Sequence, residues 1–210
     1  MGQFGIGQAV RRREDVRFIT GTGRYVDDER AAGQAYAAFL RSPYAHAKIN
    51  GIDTAAAKRS AGVLAIYTGA DVEAAGLGTI KCVAPLKNRD GSTFFNPGRP
   101  LLATKKVRHV GDPVALVIAD SLAAAKDALD LIAVDYAPLP AVVDPAEGVK
   151  PGAPALWDEQ PSNVALDWGL GDANKTAEAF AKAARIVKLD LAINRVMADC
   201  RRLAVRRSRR

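Results

Sequence analysis

The stretch from Gly111 to Val143 constrains the fold of this chain more than any other. Val114-Ala-Leu-Val-Ile-Ala119 is an unbroken apolar run, approached through the turn residues Gly111-Asp112-Pro113. Six residues are far short of the ~20 that span a bilayer, and the run suits a strand covered on both faces. Ser121 is a good N-cap, and Leu122, Ala125, Leu129 and Ile132 follow at helical spacing on one face, with Lys126, Asp127 and Asp130 largely on the other. A short strand, Ala133–Tyr136, comes next, and the stiff Pro138-Leu-Pro140 segment leads into Ala141–Val143. Strand, helix and strand predict one compact sheet-plus-helix unit.

Upstream, residues 11–30 are polar and rich in turn formers, with Gly21 and Gly23 allowing backbone angles closed to other residues. A first strand is expected over Gln34–Leu40, a turn at Ser42-Pro43, and a second strand over Ala45–Ile52. Asp53 or Thr54 caps a short helix through Arg59 that stops near Gly62. Val63–Tyr67 reads as a strand, and Thr68-Gly69 leads into a turn or short helix from Asp71. Residues 76–100, with four glycines and three prolines, read as a long surface loop with at most one short strand.

Four prolines and two glycines between Pro145 and Asn163 predict a linker. A helix is expected over Thr176–Ala184. Val187, Leu189, Leu191 and Ile193 then alternate with Lys188, Asp190, Ala192 and Asn194, which predicts a half-buried antiparallel strand reaching Val196.

The net charge of +7 would point to an anionic partner if it were spread over the fold. It is not. The last twelve residues hold six Arg against one Asp, leaving only +2 for the preceding 198. That tail has no aromatic residue to stack on bases, so no sequence-specific nucleic-acid binding is expected. Cys82 and Cys200 form no Cys-x-x-Cys pair and are expected as free thiols in a reducing compartment. The opening residues lack the basic and apolar regions of a secretory signal, and Gly2 lacks Ser or Thr at position 6 for myristoylation. The expected location is the cytoplasm, with no membrane partner.

Chemistry-bearing residues are sparse. His46 and His109 are the two histidines, and each reads as a structural imidazole without a His or Cys neighbour at metal spacing. Gly5-Ile-Gly7 and Gly21-Thr-Gly23 lack the third glycine and the strand-to-helix setting of a dinucleotide site, and read as turns. Ser42 and Ser121 show no base or orienting acid. Asp15, Asp27 and Asp28 read as solvated turn carboxylates, and Cys82 as an ordinary loop thiol.

Five blocks carry a family resemblance in order. They are Arg13-Glu-Asp15 with Phe18-Ile-Thr-Gly-Thr-Gly-Arg-Tyr25; Arg41-Ser-Pro-Tyr-Ala-His-Ala-Lys-Ile49; Val63-Leu-Ala-Ile-Tyr-Thr-Gly69; Val107-Arg-His-Val-Gly-Asp-Pro-Val-Ala115; and Val134-Asp-Tyr-Ala-Pro-Leu-Pro-Ala-Val-Val-Asp144. Together they resemble the N-terminal α/β-hammerhead domain of the molybdenum hydroxylase large subunits, the xanthine dehydrogenase, aldehyde oxidase and carbon monoxide dehydrogenase superfamily. Gly171-Asp172, Ala179-Phe180 and Ile186–Val196 resemble the beginning of the molybdopterin-binding region. The resemblance implies an α+β fold: an N-terminal extension over 1–30, the hammerhead domain over 31–145, a linker over 146–165, an incomplete start of the molybdopterin-binding domain over 166–197, and an Arg-rich tail over 198–210.

For the parent enzyme it implies oxidoreductase chemistry at a molybdenum–pterin centre of the molybdopterin cytosine dinucleotide type. [2Fe-2S] and FAD groups would sit on partner subunits. The glutamate base and the pterin-contacting segments of that family find no counterpart here, so no catalytic, cofactor-binding or metal residue is assigned. The expected role is scaffold and subunit packing by a truncated fragment inactive alone, with residues 76–100 and Tyr44–His46 as contact surfaces. Two alternatives stand beside it: a stand-alone domain docking on iron–sulfur or flavin subunits, and a frameshifted product without function. From Ala198 the chain is expected to read as a shifted frame.

Overall fold

The computed structural model describes residues 12–25, 28–189 and 191. The readings on Gly2, Gly5–Gly7, Asp27, Cys200 and the Arg-rich tail fall outside the described residues, as do positions 190 and 192–196 of the expected last strand. The chain divides into two units, residues 1–34 with 187–210, and residues 35–186.

In the first unit α1 (Asp15–Ile19) is a single exposed turn of helix. Gly21 has φ 72°, and Thr22 N–H returns to the Arg17 carbonyl at 2.8 Å, so this glycine pair makes a turn. A Cβ on Gly23 would run into the Phe18 ring, which stacks on Tyr25 at 5.2 Å. Val187, Leu189 and Leu191 are 91%, 75% and 77% exposed, and the described residues there form no strand. The expected half-buried strand is therefore corrected over those residues. Alternation makes a stripe of apolar side chains, but a strand exists only where a second one accepts its backbone hydrogen bonds.

The second unit holds the remaining elements in the order β1 (Tyr36–Arg41), β2 (Ala47–Asp53), α2 (Ala55–Lys58), β3 (Val63–Thr68), α3 (Gly69–Ala74), β4 (Lys106–Val107), β5 (Pro113–Ala119), α4 (Leu122–Leu129), β6 (Ala133–Pro138), α5 (Pro145–Gly148) and α6 (Ala173–Ala181). One sheet has the order β1-β5-β3 and the other β4-β2-β6, every pairing antiparallel. The strand, helix and strand of residues 113–138 are thus not one sheet with its helix, as expected. β5 is already hydrogen-bonded on both edges, by β1 and β3, so β6 finds its ladder on β2 instead.

Why each element forms where it does is local chemistry. Asp53 Oδ1 accepts from the Ala55 N–H at 2.8 Å and starts α2. The Asp71 carboxylate accepts from both the Thr68 N–H at 2.6 Å and the Thr68 hydroxyl at 2.7 Å, opening α3. Those bonds favour the ionised form, and they hold the Asp71 carboxyl below its ordinary range. Ser121 Oγ accepts from the Ala124 N–H at 3.2 Å, and Asp172 caps α6 three residues earlier than expected.

The core is built largely of alanine. Ala57, Ala115, Val117, Ala119, Ala125 and Ala128 are fully buried, joined by Ile66 and Ile132. Small side chains on both facing surfaces let α4 lie close against β5. Here the expected apolar face is corrected at one end: Leu122 is 45% exposed, and Ala128 takes a place in the core. A second cluster, Ala47, Ala103, Val107 and Val114, lies under β2 and β4, and Ile52 and Val134 pack against both. On β5, Leu116 and Ile118 are half-buried rather than covered, so this strand is closed fully on one face only.

Candidate functional site

Two of the sequence blocks meet around the start of β2. Arg41 Nη1 donates to the Gly111 carbonyl at 2.9 Å, Ser42 N–H to Asp112 O at 2.9 Å, and Gly111 N–H to Ser42 O at 2.8 Å. The Asp112 carboxylate turns inward and accepts from the Arg108 N–H at 3.0 Å. Gly111 has φ 88°, which lets the chain reverse into β5. The Ser42 hydroxyl is spent on the backbone of Tyr44, donating to its carbonyl and accepting from its N–H at 3.0 Å each. Tyr44 packs on Tyr136 at 5.1 Å, and burial pushes the Tyr136 phenol above its ordinary pKa, opposed by a hydrogen bond to Ser42.

His46 ties this knot to the third block. Its carbonyl accepts from the Leu139 N–H at 2.9 Å, and its Nδ1 donates to the Pro140 carbonyl at 2.8 Å. The residue is 5% exposed, and Nε2 is buried without a hydrogen-bond partner. The structural reading of His46 holds for one ring nitrogen and leaves the other unexplained.

Two residues on, Lys48 lies on the same face of β2 and directly opposite Lys106 of β4 in the strand register. Lys106 Nζ reaches both carboxylate oxygens of Asp158, at 2.7 and 2.8 Å, although Asp158 itself is 73% exposed. The Lys106 hydrogen bond and charge, with help from Arg108 and His46, hold the Asp158 carboxyl below its ordinary range. His46, Lys48, Lys106, Pro140, Ala155 and Asp158 are among the residues lining an open cleft of about 560 Å³. It can hold a polar or charged group. It offers no nucleophile beside a base.

Residues 145–163 form the wall of this region. Arg108 stacks over Trp157 at 3.6 Å and donates from Nε to the Leu156 carbonyl at 3.0 Å, while burial lowers its guanidinium pKa against the pull of Asp112. Asn163, in the left-handed region at φ 56°, accepts from the Leu156 N–H and donates to the carbonyls of Gly148 and Pro154. Phe95 of the long loop meets Trp157 edge-on at 5.9 Å, and the loop backbone pairs at Phe95–Ala165 and Arg89–Asp167. Residues 76–100 otherwise form the expected loop, with single bridges Ile80–Arg99 and Lys87–Thr93 in place of a strand.

The other candidates stay apart. His109 lies 3.7 Å from Asp112 and is part-exposed. The exposed Cys82 has its backbone clipped to the Asn96 carboxamide. Asp28 accepts from the Tyr25 N–H, and Asp15 lies in the first turn of α1. Among the described residues no three His, Cys, Asp or Glu side chains are placed to hold a metal, and no helix is long and apolar enough to cross a membrane. Lys48, Lys106 and Asp158 escape sequence reading because their meeting depends on a register between residues far apart in the chain.

Comparison with known proteins matches residues 20–140 to the family described as aldehyde oxidase and xanthine dehydrogenase, a/b hammerhead domain. The large subunit of nicotine 6-hydroxylase from Paenarthrobacter nicotinovorans is 41% identical over 182 residues, 87% of this chain and 21% of that protein. The large chain of carbon monoxide dehydrogenase from Afipia carboxidovorans is 36% identical over 88% of this chain and 23% of that protein. The crystal structure of a Cu,Mo-CO dehydrogenase superposes with a TM-score of 0.69 at 35% identity, over 86% of this chain and 23% of its own. Quinoline 2-oxidoreductase from Pseudomonas putida 86 gives 0.60 at 43% identity, over 70% of this chain and 18% of its own. The chain thus spans about a fifth of the length of the relatives it matches.

Proposed function

Because this chain belongs to the aldehyde oxidase and xanthine dehydrogenase a/b hammerhead family, we propose that it works as the N-terminal, non-catalytic portion of a molybdenum hydroxylase large subunit. Its task in that reading is architectural. It presents a rigid double-sheet body against which the metal-carrying domains, and the iron–sulfur and flavin subunits, assemble. The proposed division is a hammerhead over 31–145, a connection over 146–165 and the first elements of the molybdopterin-binding domain over 166–197.

The observation that carries the reading is where the blocks go. Arg41, Ser42, His46, Asp112 and Tyr136 spend most of their polar groups on backbone or on one another, which closes the fold, and among these residues no acid–base pair is left facing a substrate. A molybdenum–pterin of the cytosine dinucleotide type does not fit the residues present. The cleft beside His46 is too open to enclose a pterin, its one carboxylate is taken by Lys106, and among the described residues the exposed Cys82 stands alone. No step of the hydroxylation is therefore assigned to this chain.

The test is direct. Purified chain is expected to carry no stoichiometric molybdenum and to oxidise no aldehyde, purine, N-heterocycle or carbon monoxide. It is also expected to retain the iron–sulfur or flavin subunits of such an enzyme when these are co-expressed. Stoichiometric metal with turnover would overturn the reading, and failure to retain those subunits would remove its assembly half.

A further inference from the structure

Asn50-Gly51 is the one Asn-Gly pair in the chain, and the fold leaves the two residues free to react with each other. The pairing of β2 with β6 slips at this point. Ile49 stands opposite Tyr136 and Gly51 opposite Asp135, so Asn50 is the extra residue of a β-bulge. Such a residue is left out of the ladder, and its backbone departs from regular extended geometry. On the other side β4 pairs only with Ala47 and Lys48 and does not cover the bulge. Both residues are exposed, and nothing lies within 4 Å of the place a Gly51 side chain would take. The Asn50 carboxamide is held by one long hydrogen bond, from Nδ2 to Asp135 Oδ2 at 3.3 Å. Asn88, Asn96 and Asn163 are by contrast half-buried, and each is bonded through both its amide oxygen and its amide nitrogen. Asn174 lies within α6.

We propose that Asn50 is a site of spontaneous deamidation that records the age of the folded molecule, with water as the only co-reactant. The Gly51 backbone nitrogen attacks Asn50 Cγ, and the new C–N bond closes a succinimide ring. The side-chain nitrogen leaves as ammonia, taking the Gly51 amide proton with it. Gly51 has no Cβ to crowd that ring. Water then adds to one of the two ring carbonyls and opens the ring, giving aspartate or an isoaspartate with one extra methylene in the main chain. Nothing is oxidised or reduced. The product acts on the neighbouring strand. The carboxamide donates to Asp135, whereas a carboxylate can only accept, so two like charges then face each other across β2 and β6. Isoaspartate also lengthens β2 just before Ile52, which packs against both buried clusters.

The experiment incubates the full chain, folded throughout by circular dichroism, at mildly alkaline pH in water enriched in ¹⁸O. Peptide mass spectrometry follows each asparagine, and isoaspartate is counted by enzymatic methylation of its carboxylate. Asn50 is expected to convert roughly tenfold or more faster than Asn174, the other exposed asparagine among the described residues. Each event is expected to take up one ¹⁸O and to yield both aspartate and isoaspartate. Gly51 has no positive φ and open space around it, so Gly51→Ala keeps the fold and is expected to slow the reaction roughly tenfold. Conversion of Asn50 no faster than that of Asn174, or a rate unchanged in Gly51→Ala, overturns the proposal. Asn50→Asp supplies one product directly. Its urea midpoint is expected to fall below that of the natural chain and to rise again when Asp135→Asn is added. An undiminished midpoint in Asn50→Asp would overturn the claim that the mark weakens the β2–β6 ladder.

Discussion

Tyr136 sits where two tendencies of a phenol oppose each other. Burial favours its neutral form, while the hydrogen bond to Ser42 favours ionisation, and burial is the larger effect. The folded-state pKa therefore lies above the unfolded value of about 10. Folding holds this proton more tightly than the unfolded chain does, so its contribution to stability is fully present below pH ~10 and is lost as pH rises through the folded pKa. Urea unfolding of the natural chain and of Tyr136→Phe across this range is expected to show a shallower alkaline decline in the variant. Parallel alkaline curves would mean that the phenol ionises alike in both states. The histidines show how much of the site could be read at this scale. His46 is recognisable as a structural residue because it sits at a strand start without metal-spaced neighbours. That its second nitrogen lacks a donor depends on Pro140, 94 residues away, and no local pattern carries that information.

Among the elements, α4 is the one whose sequence and structure agree most closely, and it hangs on a single cap. Ser121→Ala is expected to lower stability by about 1 kcal/mol, and Ser121→Asp to restore most of it, as measured by urea denaturation. An unchanged midpoint in Ser121→Ala would show that packing of Ala125 and Ala128 alone sets this helix. Most strands and helices were legible because capping and alternation are local properties. Sheet membership was not. Residues 113–138 look like a strand, helix and strand of one sheet, and only the occupation of both edges of β5 sends β6 to β2. The last apolar alternation failed for the converse reason, since over its described residues the pattern is present and the ladder is not.

For the molecule as a whole, both buried clusters lie between residues 35 and 186. A chain cut to 35–186 is expected to melt at the midpoint of the full chain, followed by circular dichroism. A markedly lower midpoint would show that these cores need residues outside that span. Strand pairing within the span is entirely long-range: β1 and β3 wait for β5, and β2 waits for β4 and β6. During synthesis at about 5–20 residues per second, β1 and β2 leave the ribosome seconds before any partner exists for them. Arg41 must wait for Gly111, 70 residues later, before its first anchor is made. The nascent chain thus travels with three bare strands, whose open edges can pair with other chains until their own partners emerge.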